Sequence, residues 1–140
     1  MGIPPAARRT GFQTYTNTLY AYSLKRVADL LVGIGRPAFA AEYQARASAV
    51  VKALQAHCFN GHYFTGGLAM AVDSDQDLSQ HTQIWAVLCG ASTGSEAVEI
   101  LSESLSSPHF TPASITMSFY TLRALSVVGG NLYNERFHAF

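Results

Sequence analysis

The sequence predicts an all-α fold, a fragment of an α/α toroid with about three helical hairpins and one long loop rich in Gly and Asp. Hydrophobic residues recur at helical spacing over most of the chain. Segments that are apolar almost all round alternate with segments that are apolar on one side only. Gly and Pro lie between these segments and indicate where each predicted helix begins and ends.

Composition along the chain indicates its domain organisation. Residues 1–13 contain Pro and Arg without a hydrophobic period, and we predict a coil or disordered N-terminus there. Residues 14–140 are predicted to form one partial domain. Hydrophobic residues make up 49% of the chain and charged residues 13%. The charged share is about half the usual value of roughly 25%, which indicates a piece of something larger.

Charge and hydropathy exclude two classes of partner. Lys+Arg and Asp+Glu both number 9, and no basic face stands out, so we expect no nucleic-acid partner. No apolar run reaches the roughly 18 residues of a membrane span, and the N-terminus lacks a signal-peptide pattern. We therefore expect no membrane partner, and neither feature assigns a compartment. Cys58 and Cys89 are too few for a disulfide framework and are expected to be buried free thiols.

The first predicted helix covers about residues 15–34. Thr16 or Asn17 is expected to cap its start, and Gly33 and Gly35 are expected to end it. Its apolar residues leave almost no polar face, which is typical of a helix buried among others. They include Leu19, Tyr22, Val27, Leu30 and Leu31.

The second predicted helix, about residues 37–57, starts with Pro37 in its first turn and has the one-sided pattern of a surface helix. A long loop follows over residues 58–78, with a turn predicted at Asn60-Gly61. A loop of this length between helices is uncommon unless it contributes to a site.

The remaining helices continue the alternation. The third, about residues 79–90, opens with the polar triplet Ser79-Gln80-His81 and is then apolar on nearly every side. The fourth, about residues 95–105, is amphipathic. The fifth, about residues 113–128, carries a single charge, and residues 132–140 begin another helix. The first, third and fifth helices are therefore predicted to be inner helices of the ring, and the others outer.

Inner helices that run in parallel begin at the same end of the ring. Polar and aromatic residues at those starts are therefore predicted to surround one opening. They are Tyr15, Asn17, Gln80, His81, Thr116, Ser118, Phe119 and Tyr120. Three helix pairs would form half of a six-pair ring, so the first and fifth helices would each lack a neighbour. We expect their apolar sides to be exposed and the isolated chain to self-associate or to be marginally stable.

Several stretches, in this order, resemble a known family. They are residues 19–30, residues 53–59, the run from Tyr63 to Ser79-Gln80-His81, residues 86–90 and residues 119–125. Together they are similar to the six-hairpin glycosidase domain of the α-L-rhamnosidases, over roughly residues 15–140. The resemblance implies inverting hydrolysis of terminal L-rhamnose by the complete domain, with a rhamnosyl glycoside as its partner.

The resemblance also implies which residues act. An inverting enzyme needs a carboxylic acid and a carboxylate base. In the family, the acid lies upstream of the matched region and the base downstream, so we assign no catalytic residue here and expect the chain alone to be inactive. Candidate substrate-binding residues are Gln80, His81, Tyr15, Asn17, Phe119 and Tyr120.

Alternatives remain open at this point. Gln80 and His81 could instead satisfy backbone groups of the long loop or of the helix start. The chain could be a non-enzymatic helical toroid or repeat module that binds a partner. It could also belong to another six-hairpin sugar hydrolase. Trp85, the only tryptophan, is expected to pack in the core because its neighbours are apolar.

We expect no cofactor and no metal. The run from Asp73 to Asp77 imitates the start of an EF-hand, but Leu78 and Ile84 replace the required Gly and Glu. These acidic residues are better explained as complementing the positive start of the third helix. A zinc site formed by His57, Cys58 and His62 would lack a fourth ligand.

Overall fold

A computed structural model describes residues 11–71 and 77–138 of the chain. Six α-helices lie in these ranges: α1 (Thr14–Gly33), α2 (Pro37–His57), α3 (Gln80–Cys89), α4 (Gly94–Ser106), α5 (Ser118–Val128) and α6 (Leu132–Phe137). Two 3₁₀ turns accompany them, Ala69–Ala71 and Ile115–Met117. Over the same ranges, β structure is limited to two isolated bridges, one of which joins Phe59 to Phe64. The all-α prediction is confirmed. None of the helices seen there has the length and hydropathy needed to cross a membrane.

The start of α1 differs from the prediction. The helix begins at Thr14, with Gln13 at the N-cap position, so Thr16 and Asn17 lie inside it and cap nothing. The long loop provides the physical reason. Thr14 N donates to Gly66 O at 3.2 Å, and Thr14 Oγ1 donates to Gly67 O at 3.3 Å. Because the loop satisfies groups of the first turn, Thr16 and Asn17 are not used as caps, although the start at Thr14 is within one residue of the predicted one.

The ends of α3 follow local rules. Thr82 N donates to Ser79 Oγ at 3.3 Å, which is a standard N-cap hydrogen bond. Gly90 ends the helix with φ of 79°, in the left-handed region that glycine adopts easily. Lys25 Nζ donates to Cys89 O beside it, and a Cβ at position 90 would lie 2.9 Å from that ammonium. The backbone angle therefore favours glycine, and a larger residue would also have to displace the end of the Lys25 side chain.

The fifth predicted helix begins later than expected. Residues 115–117 form a 3₁₀ turn, and α5 starts only at Ser118. Ala113 N donates to Gln80 Oε1 at 2.8 Å, and Ser114 has an extended backbone with ψ of 158°. The contact with α3 therefore holds the chain extended over the predicted first turn.

Helix α3 lies at the centre of the fold and packs against α1, α4 and α5. Two hydrophobic clusters meet at it. One includes Ala21, Leu54 and Phe64 and joins α3 to α1, α2 and the long loop. The other includes Trp85 and Leu101 and joins α3 to α4 and α5.

The three helices predicted to be apolar almost all round differ in burial. Every residue of α3 from Thr82 to Val87 is buried. By contrast, α1 and α5 each expose apolar side chains, which are Tyr20, Val27, Leu30 and Val32 on α1, with Ile34 directly after it, and Phe119 and Val127 on α5. This is the exposure expected of helices that lack a neighbour.

The predicted loop over residues 58–78 is packed against the helices in its described parts, residues 58–71 and 77–78. Asn60 Oδ1 accepts hydrogen bonds from His62 N at 3.0 Å and Tyr63 N at 2.8 Å, and Gly61 has φ of 99°. The predicted turn is therefore present. Phe64 and Thr65 are fully buried beneath it. The run from Asp73 to Gln76, which imitates part of an EF-hand, lies outside the described residues.

Candidate functional site

The side chain of Gln80 holds two neighbouring segments together. Its Nε2 donates to Ser104 O at 3.0 Å, and its Oε1 accepts from Ala113 N at 2.8 Å. Both ends of the amide are therefore used by backbone groups of α4 and of the segment before α5. Gln80 thus satisfies backbone groups, as in the alternative stated for it, but these groups belong to α4 and the segment before α5 rather than to the long loop or the start of α3.

His81 has a different environment. Its side chain is half-buried, and its Nε2 atom is buried without a hydrogen-bond partner in the described part of the chain. Burial lowers the pKa of His81 below its ordinary value of 6.5, so the ring is neutral near pH 7. The ring of Tyr15, from the first turn of α1, meets it edge-on with centroids 6.0 Å apart. An unpartnered buried nitrogen is uncommon and marks a place where a ligand or a water can bind.

Trp85 lies one turn after His81 on α3. It is 3% exposed, so its predicted burial is confirmed. Its Nε1 atom is also buried without a partner among the described residues. The ring lies between Tyr22 of α1, at a centroid distance of 5.3 Å, and Tyr120 of α5, at 4.6 Å.

The ring contacts between α1, α3 and α5 form two groups. One is the pair Tyr15 and His81, and the other runs from Tyr22 through Trp85 and Tyr120 to Phe119, 5.1 Å from Tyr120. We call the two groups together the aromatic seam. It consists of Tyr15, Tyr22, His81, Trp85, Phe119 and Tyr120. Since His81 and Trp85 are four residues apart, their side chains share one face of α3. Two unpartnered nitrogens therefore lie on the face that contacts α1 and α5.

Four of the six predicted binding residues belong to the seam. They are Tyr15, His81, Phe119 and Tyr120. The other two bond to backbone groups: Gln80 to Ser104 O and Ala113 N, and Asn17 Nδ2 to Gln13 O at 2.8 Å.

Tyr63 lies outside the seam, with its ring 5.0 Å from that of Phe110. A hydrogen bond to Glu103, with burial and the charge of Glu103 adding to it, raises the pKa of Tyr63 to about 12.

Two seam residues were missed as site candidates by sequence reasoning, Tyr22 and Trp85. A signal for Tyr22 was present, because it follows Tyr15 by seven residues and so lies on the same helix face. Trp85 follows His81 by four residues in the same way. Nothing in the sequence indicates that the indole nitrogen lacks a partner, because this depends on every neighbour in space.

The two unpartnered nitrogens of the seam are buried. Three surface grooves in the described residues have volumes of about 220, 320 and 490 Å³. His81 and Trp85 line none of these three, and Tyr22 lines the largest. A ligand that reached both nitrogens would have to displace seam rings. Phe119, which is 65% exposed, is the least confined of them.

The chemistry available at the seam is binding rather than hydrolysis. Its residues provide apolar ring faces and two unpartnered nitrogens, but no carboxylate. Glycoside hydrolysis by inversion needs two carboxyl groups, so the seam by itself lacks the acid and the base. Over residues 11–71 and 77–138, no group of three or more His, Cys, Asp or Glu is arranged to hold a metal.

No protein-family model, curated protein or solved structure matches the chain. Any function assigned to it therefore rests on its own residues. The features that bear most directly on function are the two unpartnered nitrogens of α3 and the rings around them.

Proposed function

We propose that the chain is part of a glycoside hydrolase that resembles the α-L-rhamnosidases, and that it contributes one side of the sugar cleft. In this proposal α1, α3 and α5 are inner helices of an α/α toroid, and the aromatic seam faces the sugar. The observation that carries the proposal is the pair of unpartnered buried nitrogens, His81 Nε2 and Trp85 Nε1, on one face of α3.

The chemistry of the seam suits a neutral sugar. Aromatic rings can pack against the C–H face of a pyranose, while ring nitrogens hydrogen-bond to its hydroxyls. Because burial lowers the pKa of His81, its neutral ring has one nitrogen that donates and one that accepts. L-rhamnose carries a methyl group in place of a hydroxymethyl group, so it presents an apolar edge beside its hydroxyls. Such a ligand matches a site that combines apolar faces with few polar atoms.

The exposed apolar side chains of α1 and α5 support the toroid part of the proposal. Of the three helices assigned to the inner wall, the central α3 is buried, whereas α1 and α5 leave apolar side chains such as Leu30 and Val127 in contact with solvent. Further helices on either side would cover these surfaces, as in a complete ring.

The seam contributes binding but not hydrolysis in this proposal. It contains no carboxylate, and an inverting glycosidase places its two carboxyl groups roughly 6.5–9.5 Å apart around the sugar. The pure chain is therefore expected not to hydrolyse p-nitrophenyl α-L-rhamnoside. Measurable turnover by the pure chain would contradict this part of the proposal.

Trp85 provides the test, because it is the only tryptophan and lies within the seam. Titration with methyl α-L-rhamnoside is expected to change its fluorescence in a saturable way. His81→Phe keeps an aromatic ring but removes both nitrogens, so we expect about a tenfold loss of affinity. His57→Phe, on the exposed surface of α2, is the matched control and should bind as the wild type does.

The outcomes separate the alternatives. No saturable response, or equal affinity in His81→Phe and the wild type, would overturn the proposal. The absence of any response would favour the non-enzymatic helical module, for which the lack of a carboxylate in the seam is the supporting observation. A stronger response to methyl α-D-glucoside than to the rhamnoside would favour another six-hairpin sugar hydrolase.

A further inference from the structure

A groove with a volume of about 490 Å³ lies at the opposite end of α3 from His81. The later part of α1, the end of α3, the start of α4 and the second half of α5 enclose it. Lys25, Arg26 and Arg123 line it, together with Thr93 at the N-cap of α4. We call this feature the basic groove.

The charge of the basic groove is one-sided. Among the described residues, three cations line it and no carboxylate does, although the whole chain has 9 basic and 9 acidic residues. Two acidic residues contact residues of the lining without lining the groove themselves. Asp29 pairs with Arg26 at 3.1 Å, and Glu96 accepts a hydrogen bond from Ser92 Oγ at 2.7 Å. The lining therefore concentrates positive charge that the chain as a whole does not have.

The three cations are held differently. Arg26 lies over the ring of Tyr22 at 5.4 Å, in addition to its pair with Asp29. Lys25 donates one hydrogen bond to Cys89 O, which leaves donors of its ammonium free for a ligand. Arg123 is exposed and forms no ion pair with any residue of the described ranges. Two of the three cations can therefore donate to an anion without losing a carboxylate partner.

The start of α4 adds to this charge. Thr93 is its N-cap residue, and its side chain makes no capping hydrogen bond. The first backbone N–H groups of a helix carry partial positive charge and bind anions. Glu96, in the first turn of α4, offsets part of this charge. The N–H groups supplement the cations of α1 and α5 in the basic groove.

The lining also has an apolar wall, which includes Leu88, Val98 and Val127. A site for a bare inorganic ion would not need such walls. The groove volume of about 490 Å³ also falls within the roughly 300–1,000 Å³ typical of small-molecule sites.

We propose that the basic groove binds a small organic phosphate. The phosphate group lies against Arg123, Lys25 and the start of α4, and the organic body lies against the apolar wall. A phosphate dianion matches several cations better than a singly charged carboxylate does. Tyr22 is the only residue that this groove and the aromatic seam share, so the inference is independent of the sugar site.

Substitutions at Thr93 test the proposal without removing the helix cap. Thr93→Asp adds a negative charge to the lining, whereas Thr93→Asn is its neutral match. Both residues are at least as good N-caps as Thr, so both variants are expected to fold. Isothermal titration calorimetry with phenyl phosphate should show about a tenfold or greater loss of affinity in Thr93→Asp and a change within about twofold in Thr93→Asn.

A second pair of variants tests the cations. Arg123→Gln should also weaken phenyl phosphate binding by about tenfold. Arg46→Gln, an exposed residue of α2 outside the groove, should leave it unchanged. Added salt should weaken binding to the wild type, because exposed charges are screened.

Two further probes identify the ligand class. Inorganic phosphate should bind more weakly than phenyl phosphate, and benzyl alcohol should show no saturable binding. Equal affinity for the two phosphates would overturn the assignment of an organic body. An absence of saturable phenyl phosphate binding, or equal losses in Thr93→Asp and Thr93→Asn, would overturn the site itself.

Discussion

The side-chain amide of Gln83 binds both backbone polar groups of Phe64. Gln83 Oε1 accepts a hydrogen bond from Phe64 N at 3.0 Å, and Gln83 Nε2 donates to Phe64 O at 2.7 Å. Both residues are almost completely buried. The amide of Gln83 thus pairs with the backbone of Phe64 as the backbone of a neighbouring strand would. It fixes the long loop to the central helix.

Gln83→Leu is expected to lower the free energy of unfolding by about 2–4 kcal/mol, because it leaves two buried backbone groups without partners. Urea denaturation followed by circular dichroism measures the change. Gln44→Leu, on the exposed surface of α2, is the control and should change stability by less than about 0.5 kcal/mol. Similar losses in the two variants would show that the Gln83 contacts contribute little.

His81 should make stability depend on pH. Burial lowers the pKa of its folded state below 6.5, so the unfolded chain takes up the proton first as the pH falls. The stability that comes from the neutral ring is complete above about pH 6.5 and is lost as the pH falls toward the lowered pKa of the folded state. We expect the Tm of the wild type to fall more steeply than that of His81→Gln in this window. His109→Gln, at an exposed position, is the control, and its Tm should change with pH as the wild-type Tm does.

Both thiols should be unreactive in the folded protein. Burial raises the pKa of Cys89 to about 11, outweighing a backbone hydrogen bond from Ala91 and the charge of Lys25. Burial also raises the pKa of Cys58, against a side-chain hydrogen bond with Thr14. Because the thiolate is the reactive form, Ellman's reagent should label neither cysteine in native protein and both in denaturant. Rapid labelling of native protein would contradict this.

The exposed apolar side of α1 should cause self-association. Leu30, Val32 and Ile34 are each more than 60% exposed near its end. Sedimentation velocity is expected to show association that increases with concentration, and Leu30→Lys should reduce it without lowering stability. Ser23→Lys, also exposed on α1, adds the same charge without removing an apolar group. A wild-type chain that stays monomeric with a sharp cooperative melt would contradict the expectation.

Two glycines at helix ends should respond in opposite directions to alanine. Gly90 has φ of 79°, and its Cβ would crowd Lys25 Nζ, so Gly90→Ala should cost about 1–2 kcal/mol or more. Gly33, the last residue of α1, has open space around it, and Gly33→Ala should be neutral or stabilising by up to about 1 kcal/mol. Thermal unfolding of both variants measures the difference. Equal changes in stability in the two variants would show that neither the left-handed backbone angle at Gly90 nor its contact with Lys25 disfavours alanine there.

The sequence by itself determined the helices and the central position of α3. Periodicity and the Gly and Pro residues placed α2 at residues 37–57 and α3 within one residue at each end. These signals are local, because a helix repeats every 3.6 residues and glycine directly after the last turn favours its end. The apolar character of α3 predicted its burial for the same reason.

Only the tertiary structure decided what each polar side chain does. Gln80 and Gln83 lie one turn apart, yet one bridges α4 to the segment before α5 and the other holds the long loop. The missing partners of His81 and Trp85, and the start of α1 at Thr14, depend in the same way on distant residues. The helical periodicity of a sequence indicates only which side of a segment is apolar. A hydrogen bond depends on atoms that come together only when separate segments pack.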